Sequence, residues 1–108
     1  MASFNNDIVC PVAATLEYIG GRWKSVILYY LTTGKRRFGE IAARIPAISK
    51  KVLTQQLKEL EKDGLINRVE YKEKQTRVEY SLTELGQSLS GVFREMSSWG
   101  KENILCKK

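Results

Sequence analysis

The sequence of 108 residues contains no histidine and only two cysteines, Cys10 and Cys106. The absence of histidine removes the commonest general base and every catalytic triad built on it. Two cysteines are too few for a zinc site of ordinary ligand number within one chain. A glycine-rich phosphate loop is also missing, because Gly20-Gly21 is followed by Arg-Trp-Lys and not by the spacing of such loops. We therefore expect a protein that is not an enzyme and that holds no metal and no cofactor.

Long apolar runs and targeting signals are missing as well. The longest apolar stretch, residues 26–31, is too short to cross a membrane and is predicted to be a buried helix. The N-terminus, residues 1–7, has neither the basic start nor the apolar segment of a secretion signal. The length and the 43% hydrophobic content predict one globular domain over residues 1–108. Residence in the cytoplasm, with no membrane partner, follows as the default expectation.

Positive charge is concentrated in one part of the chain. The formal net charge is +6, but residues 22–51 carry eight Lys or Arg against a single acid, Glu40. Such a concentration favours a polyanionic partner. A basic surface kept for solubility would not need it, so we predict a nucleic acid as the partner and regard an anionic membrane as the weaker alternative.

A helical pattern in the middle of the chain is typical of a DNA recognition helix. Ser49 is a good N-cap, and Gly64 fits the left-handed residue that ends a helix. Leu53, Leu57 and Leu60 recur at helical spacing and line one face. The opposite face carries Lys, Thr and Gln side chains, which donate hydrogen bonds to phosphates and base edges. Taken alone, the pattern also fits an ordinary amphipathic surface helix.

The neighbouring segments decide between these two interpretations. Two helices are predicted before residue 32, and a short one from Phe38 to Ile45 is ended by Pro46. The short helix and the recognition helix then form a helix-turn-helix over about residues 38–63. After this helix, the spacing of the apolar residues changes from about 3.6 residues to 2 residues. This change predicts a two-stranded hairpin over about residues 65–82 with a basic tip. A helix-turn-helix followed by such a hairpin is a winged helix.

A last helix is predicted from residue 83 to about residue 103, with an apolar stripe at alternating spacings of four and three residues. The stripe could cover the core of its own chain. Because the first three helices already supply a core, a second subunit is favoured as the partner. The side chains predicted at this dimer interface are Leu16 from the first helix and Leu89, Val92, Phe93, Met96 and Trp99 from the last.

The predicted fold is therefore α+β but mainly α: a winged helix-turn-helix with a two-stranded wing and a terminal dimerisation helix. Double-stranded DNA is the predicted partner. It is contacted by the basic triplet Lys35-Arg36-Arg37 before the third helix, by the recognition helix and by the wing. The side chains predicted to contact DNA are Lys35, Arg36, Arg37, Ser49, Lys50, Lys51, Thr54, Gln55, Gln56, Lys58, Lys72, Lys74 and Arg77. Lys51 and Gln55 are expected nearest to base edges, because Lys pairs well with guanine and Gln with adenine.

Three blocks of this sequence resemble one known family, the HxlR-type winged helix-turn-helix regulators of bacteria. The blocks are residues 10–24, which include Gly-Gly-Arg-Trp-Lys, the recognition helix at residues 48–65, and residues 77–86, which end in Leu-Thr-Glu-Leu-Gly. The resemblance implies a homodimeric transcription factor on the MarR-type fold, usually a repressor, whose subunits each read half of an inverted repeat. The family commonly has two prolines before the Arg of the second wing strand, where this chain has Gln75-Thr76. A more mobile wing tip follows.

The resemblance also bears on the two cysteines. Several family members sense electrophiles, quinones or oxidants through a cysteine just before the proline of the first helix, which is Cys10 here. One such regulator also uses a cysteine after the last helix, and Cys106 is similarly placed. A helix N-terminus favours the reactive thiolate. Without the resemblance, Cys10 would be predicted to act as a small, partly buried hydrophobic residue.

The resemblance suggests redox sensing through Cys10, with Cys106 of the other subunit as the resolving thiol. The sequence leaves three alternatives open. The regulator responds to a small-molecule ligand, it has no cysteine sensing, or the winged helix serves only as a protein-interaction module. The last alternative predicts an apolar or mixed outward face on residues 50–58, whereas that face is made of Lys, Thr and Gln.

Overall fold

A computed structural model describes residues 10–106 and gives six helices, a three-stranded sheet and a wider π-helical turn in that part of the chain. The N-terminal stretch considered for a secretion signal and both ends of the predicted domain lie outside the described residues. The elements are α1 (Pro11–Ile19), α2 (Lys24–Leu31), β1 (Arg36–Arg37), α3 (Phe38–Arg44), α4 (Lys50–Lys62), β2 (Ile66–Lys72), β3 (Thr76–Leu82), α5 (Glu84–Gln87), α6 (Ser90–Gly100) and the π-helical turn Lys101–Leu105.

The helix-turn-helix is formed by α3 and α4, and local signals set the ends of both helices. At the start of α3, the Arg37 backbone N–H donates to the Glu40 carboxylate at 2.8 Å. The Ser49 hydroxyl oxygen accepts from the Val52 N–H at 3.1 Å and caps α4. Gly64 follows α4 with a φ of 78°, a conformation that suits glycine because it has no Cβ. The recognition helix therefore begins and ends where its sequence predicts.

The hairpin of β2 and β3 is the wing, and the turn at its tip is short. Lys72 pairs with Thr76, so that only residues 73–75 form the turn. Tyr80 and Leu82 of β3 are buried, but Val69 of β2 is 42% exposed. The apolar alternation in β2 thus marks the outer face of a strand at the edge of the sheet, and not a buried face.

One strand was not predicted. Residues Arg36 and Arg37 form β1, which pairs antiparallel with β3 through Arg36–Tyr80 and Arg37–Glu79. The sheet consequently has three strands in the order β1-β3-β2, in which β2 and β3 are the predicted two-stranded wing and β1 is an additional edge strand. Two residues are too few to produce a recognisable alternation of apolar and polar side chains. The pairing attaches the basic triplet to the base of the wing.

The core lies where α2, α3 and α4 meet the base of the wing. The leucine face predicted for α4 is confirmed, since Leu53, Leu57 and Leu60 are each at most 1% exposed. The largest fully buried side chains are Ile27, Leu28, Leu31, Ile41, Leu53, Leu57, Leu60 and Ile66. This packing fixes which side of α4 faces outward. Among residues 10–106, no helix is long and apolar enough to cross a bilayer.

The last helix is interrupted, whereas one continuous helix was predicted. α5 ends at Gln87 and α6 begins at Ser90. Gly86 is buried, and a Cβ placed on it would collide with the backbone carbonyl oxygen of Leu65. The glycine therefore allows α5 to lie directly against the turn that precedes β2. Sequence periodicity alone does not reveal such a close approach between backbones.

Candidate nucleic-acid interface

The outward face of α4 carries the row of side chains that the sequence predicts. Lys50, Lys51, Gln55 and Lys58 are exposed, and Gln56 is half-buried at the edge of the row. Thr54 is exposed as well, but its hydroxyl donates to the Lys50 carbonyl oxygen at 2.8 Å. Ser49 is exposed and accepts from a backbone N–H as the cap of the helix. These side chains project from a rigid helix whose other face is buried.

An acidic residue adjoins this row. The Glu59 carboxylate lies 2.7 Å from the Lys24 Nζ and 3.5 Å from the Gln55 Nε2. Lys24 belongs to α2, and its side chain is only 14% exposed. The hydrogen bond from Lys24 holds the pKa of the Glu59 carboxyl below its ordinary value. Lys24 was not predicted as part of the site, because nothing in the sequence connects the start of α2 to α4.

The members of the basic triplet differ in how freely they can reach a ligand. Arg36 donates to the Thr33 hydroxyl at 2.8 Å, and its guanidinium lies 5.0 Å from the centre of the Tyr30 ring. Arg36 therefore packs on α2. Lys35 is exposed, with its Nζ 3.9 Å from the Glu79 carboxylate. Arg37 is exposed and lines a cleft of about 730 Å³ together with residues 73–77 of the wing.

The three basic residues predicted in the wing also differ. Lys72 and Lys74 are exposed. Arg77 instead donates to the Glu73 carboxylate at 3.1 Å and to the Glu79 carboxylate at 3.3 Å. Its guanidinium also lies 4.6 Å from the centre of the Tyr71 ring. These contacts hold Arg77 against the outer face of the hairpin, so that its main partners belong to the wing itself.

Arg68 was missed by the sequence analysis. It is exposed in β2, pairs in register with Tyr80, and lines a cleft of about 440 Å³ with Thr54 and Lys58 of α4. Residues paired in register project from the same face of a sheet. Arg68 could have been found only from the register between β2 and β3, which the sequence does not give.

Most of the apolar side chains predicted at a dimer interface are exposed. Val92 is 41% exposed, Met96 50% and Trp99 61% on α6, and Leu16 is 55% exposed on α1. Val92, Met96 and Trp99 follow one another at spacings of four and three residues and so share one face of α6. Exposed apolar side chains grouped in this way mark a site of association. The four residues are called the apolar surface below.

Phe93 and Leu89 depart from that prediction. Phe93 is 3% exposed and belongs to the core of its own chain, with its ring centre 6.4 Å from that of Tyr29. Leu89 is partly buried and packs against the same core. The expectation that Phe93 anchors a second subunit is therefore corrected: α6 uses this ring to attach itself to α2.

Both cysteines are exposed free thiols. Cys10 precedes α1, and its backbone carbonyl oxygen accepts from the Ala14 N–H at 2.8 Å, so the residue occupies the N-cap position. Cys106 follows the π-helical turn. The alternative in which Cys10 is a partly buried hydrophobic residue does not agree with its exposure.

The profile of the HxlR-like helix-turn-helix family matches residues 18–108 of this chain. The chain is 50% identical over 93 residues to YdeP of Bacillus subtilis (strain 168), an uncharacterized HTH-type transcriptional regulator; the match covers 86% of this chain and 73% of YdeP. The redox regulator HypR in its reduced form superimposes with a TM-score of 0.83 at 44% identity, covering 87% of this chain and 93% of HypR. The reduced form of the transcriptional regulator YodB from B. subtilis gives 0.77 at 36% identity, covering 94% and 100%.

Proposed function

This chain belongs to the HxlR-like helix-turn-helix family of DNA-binding transcriptional regulators, and from that premise we propose that it is a repressor that binds an inverted repeat as a homodimer. The observation that carries the proposal is the outward face of α4, where Lys50, Lys51, Gln55 and Lys58 are all exposed on a helix fixed by its buried leucines. A face of this composition suits the major groove, and it does not suit a module that binds only apolar protein surfaces.

Within the groove, Lys51 and Gln55 read bases. Gln55 pairs with adenine and Lys51 with guanine, each pair contributing about 1–3 kcal/mol of discrimination. Lys50, Thr54 and Lys58 flank them and lie nearer to the backbone. Thr54 must rotate its hydroxyl away from the Lys50 carbonyl before it can donate to a phosphate, so its contribution is smaller than that of the two lysines.

Phosphates on either side of the groove are held by exposed basic side chains outside α4. Lys35 and Arg37 lie at the base of the wing, and Lys72 and Lys74 lie at its end. Arg36 and Arg77 act indirectly, because each is already bonded within the protein and fixes the position of a neighbouring segment. Phosphate contacts of this kind position the protein and add affinity for every sequence.

The homodimer forms through the apolar surface of α1 and α6. A two-fold axis through this surface brings the same apolar surface of the two subunits together. The two recognition helices then enter successive major grooves, about 34 Å apart along the DNA. Each subunit thereby reads one half of the repeat.

DNA binding responds to oxidation through Cys10. The thiol is exposed at the start of α1, six residues before Leu16 of the apolar surface. A disulfide from Cys10 to Cys106 of the second subunit joins the ends of the elements that form the dimer and changes the separation of the recognition helices. The name of HypR, a redox regulator that this chain resembles, supports a role of this kind.

The test is a DNA shift assay on the region upstream of the gene that encodes this chain, with and without diamide. We expect the reduced parent to bind, and diamide to change its affinity and to produce a covalent dimer in non-reducing electrophoresis. Cys10→Ser should abolish both responses, and Cys106→Ser should abolish the covalent dimer. If Cys10→Ser leaves the DNA response to diamide unchanged, the sensing role is wrong, while the DNA-binding role stands on the reduced protein.

A further inference from the structure

Three side chains form a bonded series from the interior of the protein to the outward face of α4. The Lys24 Nζ lies 2.7 Å from one oxygen of Glu59, and the other oxygen lies 3.5 Å from the Gln55 Nε2. The side chain of Lys24 is 14% exposed and that of Glu59 43% exposed, and Gln55 is exposed on the outward face. Residues four apart on a helix share a face, so Glu59 stays beside Gln55 in any rotamer that keeps its bond to Lys24.

Glu59 limits how the amide of Gln55 can be oriented. The Lys24 bond keeps the pKa of Glu59 below its ordinary value, so the carboxyl is ionised at neutral pH and can only accept hydrogen bonds. The amide must therefore turn its NH2 group toward Glu59 and its carbonyl oxygen away. The distance of 3.5 Å between the Gln55 Nε2 and the Glu59 carboxylate is at the long end for a hydrogen bond.

The orientation matters because adenine and guanine present different groups in the major groove. Adenine offers one donor and one acceptor, while guanine offers two acceptors. With one amide hydrogen bonded to Glu59, Gln55 retains one donor and one acceptor, which complement adenine. To pair with guanine, the amide would need both hydrogens, and it would have to give up Glu59.

We infer that Glu59, held by Lys24, is a specificity-determining residue that makes Gln55 read adenine and reject guanine. The inference rests on the proposed function in one respect, that α4 enters the major groove. Glu59 does not touch DNA in this scheme. It is a positioning residue, and it acts through the amide of Gln55.

A purely structural role for the same ion pair would have a different consequence. A half-exposed pair between α2 and α4 contributes little to stability, and its loss would weaken binding to all sequences alike. Loss of one negative charge near the DNA would also act on all sequences alike, in the direction of tighter binding. Only the positioning role changes the ratio of affinities for adenine and guanine at one base pair.

The experiment compares operator duplexes that differ by adenine or guanine at each position of one half-site, using purified full-length protein under reducing conditions. The variants are the parent, Gln55→Ala, Glu59→Gln, and Glu61→Gln as the matched control, which removes the same charge from an exposed position of the same helix. At the position that Gln55→Ala identifies, we expect the parent to prefer adenine by about 5- to 150-fold. Glu59→Gln should reduce this preference to about threefold or less, because a neutral amide can donate as well as accept. Glu61→Gln should keep it.

Three results would overturn the inference. A Glu59→Gln variant that keeps the full preference shows that Gln55 is oriented without Glu59, and the proposed DNA-binding function then still stands. A Glu61→Gln variant that loses the preference equally shows that the preference does not depend on the contact between Glu59 and Gln55. If Gln55→Ala changes the preference at no position, base reading by α4 fails and the inference fails with it. Should Glu59→Gln not fold, Glu59→Asp gives the same comparison, because it keeps the charge and withdraws the carboxylate by one methylene from Gln55.

Discussion

At the scale of single residues, exposure and existing bonds separate side chains that look equivalent in the sequence. Lys74 and Arg77 are both basic residues of the wing, three positions apart. Lys74 is exposed, while Arg77 is bonded to two carboxylates and stacked on Tyr71. The sequence predicts the positive charge at both positions. It does not reveal that Arg77 lies on Tyr71, because these two residues meet only through the pairing of β2 with β3.

This difference leads to opposite expectations for Lys74→Ala and Arg77→Ala. Lys74→Ala should lower the affinity for every DNA sequence and reduce the slope of log K against log salt by about one unit per lost contact, hence about two in a symmetric dimer. Arg77→Ala should leave the slope nearly unchanged and lower the free energy of unfolding only slightly, because its ion pairs are screened by solvent. Binding isotherms at several salt concentrations, with urea unfolding alongside, make the comparison. A slope that falls equally in both variants would place Arg77 on a phosphate.

At the scale of secondary-structure elements, the parts with strong local signals were predicted well. The recognition helix has a cap, a leucine face and a terminal glycine within sixteen residues of sequence, and its bounds agree with the structure. The short strand β1 and the break between α5 and α6 have no such signal. Both depend on contacts between segments distant in the chain: β1 forms because β3 lies beside it, and the break accompanies the packing of Gly86 on Leu65.

The two glycines near that break should respond in opposite ways to alanine. Gly86→Ala introduces a Cβ that collides with the Leu65 carbonyl oxygen, and we expect a loss of about 1–3 kcal/mol in the free energy of unfolding. Gly91→Ala in α6 meets no atom within 4 Å and should be neutral or stabilise the helix by up to about 1 kcal/mol. Chemical unfolding of the two variants measures both effects. Equal losses would show that α5 does not pack against residue 65 in this way.

At the scale of the whole molecule, the part of the chain that the structure describes leaves the apolar surface exposed. The sequence predicts its position on α6 from the spacing of apolar residues. It does not separate the side chains that face outward, such as Trp99, from those that attach the helix to its own core, such as Phe93. That separation depends on the rotation of α6 about its axis, which the contact of Phe93 with Tyr29 sets.

A charged residue on the apolar surface should therefore disrupt the dimer. We expect Trp99→Asp to be monomeric at micromolar concentration and to bind operator DNA weakly, because a buried carboxylate without a partner is costly at an interface. The matched control is Val69→Asp, which places the same charge on an exposed apolar side chain of the wing and should remain dimeric. Sedimentation or light scattering gives the oligomeric state. A parent protein that is itself a stable monomer would remove the basis for the two-fold arrangement.

The central claim is that α4 reads bases in an inverted repeat, and selection from random DNA tests it most directly. The parent and Gln55→Ala, both reduced, are each used to enrich a pool of random duplexes, and the recovered sequences are aligned. We expect the parent to recover an inverted repeat with half-sites about one helical turn apart. Gln55→Ala should recover the same repeat with one or two base pairs of each half-site no longer specified. A parent that recovers no repeat, or a variant that recovers an unchanged one, would contradict this account of α4.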